Sequence, residues 1–295
     1  MNHIRLKGKY KMLIDMHVHP IFYDLICEDA EELEFRGNTF GVFKQGPMSF
    51  DEIFAEMAFG GVEKAALLAL DVSTSCGGFV VTNEQLAKLV SAHPDKFFGF
   101  ASVDPHRRDA ADVLKHAFDT LGLHGLKLNP SKQRFYPDDK MMEPLYRLCE
   151  EYDKPVIFHS GTSWEPDTPA KYSHPLAFEE VFIRHPDLRC CLAHFGWPWV
   201  REMVMLMLKY PNVYTDTSVL YLDSPEESMK RLFTVDMGPL WYERSLCKQV
   251  MFASNTPRFR AFKLKQALDK VEMRDYARRA LYSENAERFL FGGAL

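Results

Sequence analysis

Short apolar runs and longer amphipathic stretches alternate along nearly the whole chain. The short runs, rich in β-branched and aromatic residues, predict strands over 12–17, 62–70, 97–103, 125–128, 156–159, 189–194, 213–216 and 249–253. Stretches with helical periodicity between them predict helices over 49–59, 83–92, 108–121, 140–152, 175–184 and 197–208; four more, over 225–233, 261–271, 273–281 and 283–290, close the chain. Ser49 with an acidic first turn, and Asn83 as a cap, mark two of the helix starts. Strands alternating with helices in this way predict an α/β protein, a single-domain (β/α)8 TIM barrel over 12–295. A doubly wound open sheet is the structural alternative, but no Gly-x-Gly-x-x-Gly follows the first strand. The stretch 22–46 reads as an extended loop roofing the barrel.

Composition narrows the partners. At 295 residues, 46% hydrophobic and 26% charged, with no Pro/Ser/Gly-rich linker, the chain suits one large domain. A net charge of -5 and a pI of about 6.1 give no electrostatic reason to approach nucleic acid or an anionic membrane. A small-molecule substrate is expected instead. Residues 1–11 form a basic leader without the apolar core of a signal peptide, no run is long enough to span a bilayer, and Met12 is an alternative start. Six scattered cysteines without a Cys-x-x-Cys pair fit reduced thiols, so a cytoplasmic location is expected.

Candidate chemistry lies where the strands end. The run Leu13-Ile14-Asp15-Met16-His17-Val18-His19 finishes on two histidines one residue apart, which on a strand point to one side and can converge on one ion. Two other apolar runs also finish on a histidine, His159 and His194, followed by Gly161 and Gly196. In a barrel the carboxyl ends of all strands meet on one face, which would also bring Lys127, Asn129 and Asn255 to the same place. A divalent ion there would make hydroxide available near neutral pH for attack on a carbonyl.

The strings Ile14-Asp15-Met16-His17-Val18-His19-Pro20, Gly125-Leu126-Lys127-Leu128-Asn129-Pro130, Phe158-His159-Ser160-Gly161, Leu192-Ala193-His194-Phe195-Gly196, Phe252-Ala253-Ser254-Asn255-Thr256-Pro257 and Glu284-Asn285-Ala286-Glu287-Arg288 run in register across nearly the whole chain. Together they resemble the amidohydrolase superfamily. Within it they are similar to the amidohydrolase-related branch that includes aminocarboxymuconate-semialdehyde decarboxylase, resorcylate decarboxylases and pyrone-dicarboxylate lactonase. The resemblance implies that His17, His19 and His159 bind one divalent ion, Zn²⁺ first and Mn²⁺ second, and that a homodimer or higher homo-oligomer forms. It also implies that His194 either binds a second metal or polarises the substrate carbonyl, with a hydrogen-bonded role behind the ligands as its alternative. Lys127 either contacts substrate or reaches a carboxylate as an ordinary buried-stem lysine. Trp164, Trp197 and Trp199 are candidate pocket walls, and Arg258, Arg260 and Arg36 candidate partners for a carboxylate-bearing substrate.

One departure stands out. The family string after strand eight is typically Gly-Ser-Asp-x-Pro, whose aspartate takes the proton from the attacking water; here the position is Asn255, and an amide is no base near pH 7. Asp15, two residues before His17, shares that histidine's face but lies one layer deeper, so Asp216 or His194 is the better replacement base. The leading expectation is hydrolysis of an amide, ester or lactone, narrowly ahead of non-oxidative decarboxylation of a small (hydroxy)carboxylic acid. The ordering rests on the compact length and on the string after strand six, which lacks the His-x-Gly-Glu of the decarboxylases. A catalytically silent ligand-binding barrel is the third reading.

Overall fold

Apolar runs too short for helices become ten strands among the described residues 12–42, 45–219 and 224–293 of the computed structural model. They are β1 (Ile14–Val18), β2 (Lys64–Leu68), β3 (Leu70–Val72), β4 (Gly78–Val81), β5 (Phe97–Ala101), β6 (Gly125–Leu128), β7 (Val156–Phe158), β8 (Cys190–Leu192), β9 (Val213–Asp216) and β10 (Val250–Met251). Eight of them pair in parallel in the order β1-β2-β5-β6-β7-β8-β9-β10. The Met16 N–H donates to Phe252 O at 3.0 Å, the Asn255 N–H to His17 O at 2.9 Å and the His19 N–H to Thr256 O at 2.8 Å, which closes the sheet into the expected barrel. That seam runs through the predicted metal ligands. The basic leader at 1–11 lies outside the described residues.

Helices α1 (Ala30–Phe40), α2 (Phe50–Gly60), α3 (Asn83–Ala92), α4 (Ala110–Asp119), α5 (Pro130–Gln133), α6 (Glu143–Glu151), α7 (Glu179–Arg184), α8 (Val200–Lys209), α9 (Pro225–Arg231), α10 (Pro239–Trp241), α11 (Ala261–Asp269), α12 (Asp275–Arg279) and α13 (Asn285–Phe291) make up the rest. Two differ from expectation in an instructive way. Ser49 caps α2 in a reciprocal box with Glu52, as its sequence suggests, whereas Thr82 and Gln85, and not Asn83, form the equivalent box on α3. The stretch 22–46 is not simply a loop: α1 forms within it, started by the Asp29 side chain accepting from the Glu31 and Glu32 amides. Its surface is polar nearly all round, so no apolar stripe announces it. The β3–β4 hairpin also lies outside the predicted barrel plan, because the run 62–70 breaks at Ala69.

The interior of the barrel is filled by Ile14, Met16, Ala66, Leu68, Phe100, Ile157, Cys191 and Tyr214, with Phe289 of α13 packed against Phe100 and Tyr214. Leu13, Val18, Ala65 and Leu67 belong to the separate layer between strands and helices. Simple alternation along β1 would therefore put His17 outside with Asp15. A β-bulge prevents this: Asp15 pairs with Ala65 but Val18 with Leu67, so one extra residue lies in β1 between them. The bulge turns His17 inward after Met16 and leaves Asp15 on the outer face. Asp15 thus does not share the face of His17, contrary to the alternation argument; it accepts from the Ser254 amide at 2.9 Å and the Ser254 hydroxyl at 2.5 Å, and ties β1 to the segment after β10.

The turn after β7 is equally constrained. Gly161 has φ +88°, and a Cβ there would lie 2.3 Å from Trp197 O and 2.7 Å from the Gly196 carbonyl carbon. Gly161→Ala should therefore destabilise the fold by about 3 kcal/mol, read as a lower urea midpoint with unchanged slope. An unchanged midpoint would mean that the turn tolerates a side chain.

Candidate metal centre and substrate cavity

The strand ends bring His17, His19, His159 and His194 together in a cavity whose wall also includes Lys127, Asn255, Arg258 and Trp164. All four imidazoles are buried. His17 Nε2 lies 3.1 Å from His19 Nε2, and His194 Nε2 lies 3.1 Å from His159 Nδ1. Nitrogens bound to one ion at about 2.0–2.1 Å come about this close to each other.

The groups behind the rings set their tautomers. His17 Nδ1 lies 3.0 Å from Asp216 Oδ2, so it carries the proton and leaves Nε2 bare. His194 Nδ1 lies 2.7 Å from Ser218 O, a carbonyl that only accepts, which leaves His194 Nε2 bare as well. A neutral His194 in this tautomer cannot donate a hydrogen bond to a substrate carbonyl. Burial, reinforced by the Lys127 charge, pushes His17 down to about 4; burial and the neighbouring His17 charge push His194 down to about 3. His19 and His159 are held well below the usual imidazole value, first by burial and then by their imidazole neighbours. The four rings are therefore neutral at neutral pH, the form that binds a metal.

Asp216 is the carboxylate of the centre. Burial pushes it up, but the hydrogen bonds it accepts from His17 Nδ1 and from the His194 amide at 2.9 Å outweigh that and hold it ionised. Ser218 donates to its other oxygen's side and also contacts His194 Nδ1 at 2.8 Å. His17, His194 and Asp216 present ligand atoms all within 4.8 Å of one another. One further atom bears on the fit: Asn255 Oδ1 is buried without a hydrogen-bond partner among the described residues. Buried polar atoms are rarely left so unless a ligand satisfies them. His17, His194 and Asp216, with His19 and His159 each 3.1 Å from one of these histidines and an orphan amide oxygen in the same cavity, make a donor set that fits a divalent ion.

The backbone is strained around the same cavity. His194 (φ 63°), Phe195 (φ 51°) and Asn255 (φ 64°) all sit in the left-handed region, where a non-glycine residue costs of order 1–3 kcal/mol. Asn is among the residues that tolerate it best.

Lys127 lines the cavity with its side chain 2% exposed, makes no hydrogen bond within the described residues, and is pushed by burial down to about 8. Arg258 donates to Phe40 O at 2.6 Å and packs its guanidinium over the Phe40 ring. Trp164 is on the cavity rim and half exposed. Arg36 and Trp197 are corrections. Arg36 is buried inside the roof, donating to Ile26 O at 2.8 Å and to Glu32 at 2.8 Å, because α1 folds over it and turns it away from the cavity. Trp197 packs against the core, where its carbonyl accepts from the Thr162 amide, and it does not line the cavity. Arg260 faces Glu56 outside this cavity, and Trp199 packs on His174. Sequence reasoning missed Ser218, Ser163, Lys132 and Glu165. Ser163, whose hydroxyl lies 2.9 Å from His159 Nε2, follows its histidine by four residues, and only that closeness hinted at it.

The cysteines among the described residues are free thiols, and no helix there is long and apolar enough to cross a membrane.

The amidohydrolase family model matches residues 14–292. A 2-amino-3-carboxymuconate-6-semialdehyde decarboxylase from Dictyostelium discoideum is 25% identical over 130 residues, 39% of this chain and 36% of that protein's length. An uncharacterised TIM-barrel protein from Bordetella bronchiseptica superposes with a TM-score of 0.75 at 23% identity, covering 95% of this chain and 98% of that one. A variant 5-carboxyvanillate decarboxylase from Novosphingobium aromaticivorans, solved with manganese and a substituted benzoic acid, superposes with a TM-score of 0.63 at 19% identity, covering 95% and 97%. With a family match over nearly its whole length, a closed (β/α)8 barrel and a histidine cluster at the strand ends, the chain belongs to the amidohydrolase family of enzymes.

Proposed function

We propose that this chain is a metal-dependent, non-oxidative decarboxylase of a small unsaturated or aromatic carboxylic acid. One contrast carries the reading. Glu165, the carboxylate that lines the cavity among the described residues, is occupied by two cations, while the Lys127 ammonium faces the cavity without a hydrogen bond. Hydrolysis needs a base for water, and Asn255 is not one; decarboxylation needs a proton donor for the carbon that loses CO₂, and Lys127 is one. This reverses the narrow ordering drawn from the strand-six string, and the decarboxylases among the relatives support the reversal.

His17 Nε2, His19 Nε2 and His159 Nδ1 would hold one divalent ion, with His194 Nε2 beside them. Such an ion, when bound, supplies Lewis-acid stabilisation of charge on a substrate oxygen next to the reacting carbon. Asp216 and Ser218 hold the rings of His17 and His194 in the tautomers that leave Nε2 bare. Lys127 delivers its proton to the carbon as the C–C bond breaks, so that RCOO⁻ and a proton become RH and CO₂. The Asn255 amide keeps a polar oxygen in the cavity without offering a base to water.

Release of CO₂ from a panel of hydroxybenzoates by the manganese- or zinc-loaded protein is the expected result. Turnover of a lactone without CO₂ would overturn the reading in favour of hydrolysis. Activity that appears only in Asn255→Asp would instead make the natural chain a silent binding barrel.

A further inference from the structure

At the mouth of the cavity a carboxylate of the protein sits where a ligand carboxylate could sit. Glu165 Oε1 lies 3.2 Å from Lys132 Nζ and 3.6 Å from Arg258 Nη2. The two cations come from different parts of the barrel, α5 after β6 and the segment after β10, and Glu165 from the segment after β7. Both cations also reach the carboxyl end of α1: Lys132 Nζ donates to Thr39 O at 3.0 Å and Arg258 to Phe40 O at 2.6 Å. Carbonyl oxygens at a helix end hold cations in place but do not neutralise them. The full negative charge in this arrangement is Glu165.

The contacts show which member can leave, because Lys132 and Arg258 are each also bonded to a carbonyl at the end of α1. The Lys132 side chain is 9% exposed and fixed to α1, whereas Glu165 is 23% exposed and can turn its carboxylate to water. Removing the anion without replacement would strand two partly buried cations, which is costly; exchanging it for another carboxylate costs little.

We propose that Lys132 and Arg258 form a carboxylate subsite in the wall of the same cavity as the metal ligands, that Glu165 occupies it in the empty enzyme, and that the substrate carries a second anionic group that displaces Glu165. The inference rests on the reading of the cavity as a carboxylic-acid site and names the class within it, a dicarboxylate. One carboxylate is placed at the histidine cluster for loss as CO₂. The other is held by the Arg258 fork and Lys132, which orient the molecule for the proton from Lys127. Glu165 acts as a selectivity filter, because a monocarboxylate gains nothing by displacing it.

Calorimetry on the full-length, metal-loaded protein tests this with benzoate and isophthalate as probes. Isophthalate should bind the natural protein more tightly than benzoate. Glu165→Gln, which removes the competing charge and keeps the shape, should tighten isophthalate roughly fivefold and leave benzoate unchanged. Lys132→Met should erase the preference for isophthalate, and Glu165→Asp, a shorter carboxylate, should fall between Gln and Glu. Weaker isophthalate binding in both Glu165 variants, or equal shifts for both probes, would show that Glu165 is a structural brace and overturn the proposal. Assaying CO₂ release on the same samples separates the two claims. A dicarboxylate preference without CO₂ keeps the subsite and removes the decarboxylase, whereas CO₂ release without the preference does the reverse.

Discussion

Alanine in place of either His17 or His19 is expected to abolish metal loading and bring turnover to background, yet the two variants should differ sharply in stability. The contrast follows from what each ring touches on its far side. His17 donates through Nδ1 to the buried, ionised Asp216, so removing it leaves a carboxylate without its main partner in the interior. Losing a neutral donor to a buried carboxylate in this way costs about 1.5–3 kcal/mol. His19 has no partner on Nδ1 and packs its ring on Phe40, so its removal leaves an apolar gap and no stranded charge. His19→Ala should therefore fold close to normally while failing to hold an ion. His17→Gln, whose amide can still donate to Asp216, should recover much of the stability and none of the metal. Metal content after dialysis reads the first effect. For the second, the natural protein should gain about 2.7 kcal/mol at an ion concentration 100 times its Kd, a gain absent in all three variants. A His19→Ala protein that keeps one tightly bound ion would remove His19 from the centre. Asp216→Asn should be milder, weakening metal affinity about 10–100-fold, as expected of a group that orients a ligand.

The second large effect is at Lys127, where activity and stability should move in opposite directions. Lys127→Met removes the proposed proton donor and should lower turnover about 10²–10⁴-fold with metal content unchanged. The same change removes a buried ammonium that has no hydrogen bond, so the thermal midpoint at pH 7 should rise. Linkage gives a further sign. Burial depresses the folded value from 10.5 to about 8, so between these values the unfolded chain binds more protons than the folded one. Stability of the metal-free protein should then increase as pH rises from about 8 towards 10.5, and Lys127→Met should lack that increment. A variant that loses activity together with stability would mark Lys127 as a structural residue.

Much of this architecture is legible in the sequence because it depends on local pattern. Seven of the eight barrel strands lie within predicted apolar runs and β1 overruns its own by one residue, Val18, since a strand buried on both faces is apolar along most of its length. The strand-end rule then gathers His17, His19, His159, His194, Lys127, Asn255 and Arg258 onto one cavity without any knowledge of contacts. Arg36 failed because an arginine in a polar stretch carries no signal of which way it turns; α1 wraps it against Ile26 O. Asp15 failed because alternation assumes a regular strand, and the bulge in β1 is a matter of pairing with β2, which no single segment encodes. Lys132 and Glu165 were invisible for a third reason. They are 33 residues apart and meet only because α5 and the segment after β7 are brought over the same rim.

By itself, then, the sequence determined the fold class, the family and most of the side chains that face the cavity, because periodicity and strand-end position are properties of short segments. The tertiary structure alone decided which way each of those side chains points, which ring nitrogen carries the proton, and which charges are already paired. These are set by partners distant in sequence: Asp216 behind His17, Ser218 behind His194, and Glu165 between Lys132 and Arg258. Chemistry depends on a proton's position to within an ångström or so, and only the closed barrel brings those partners near enough to fix it.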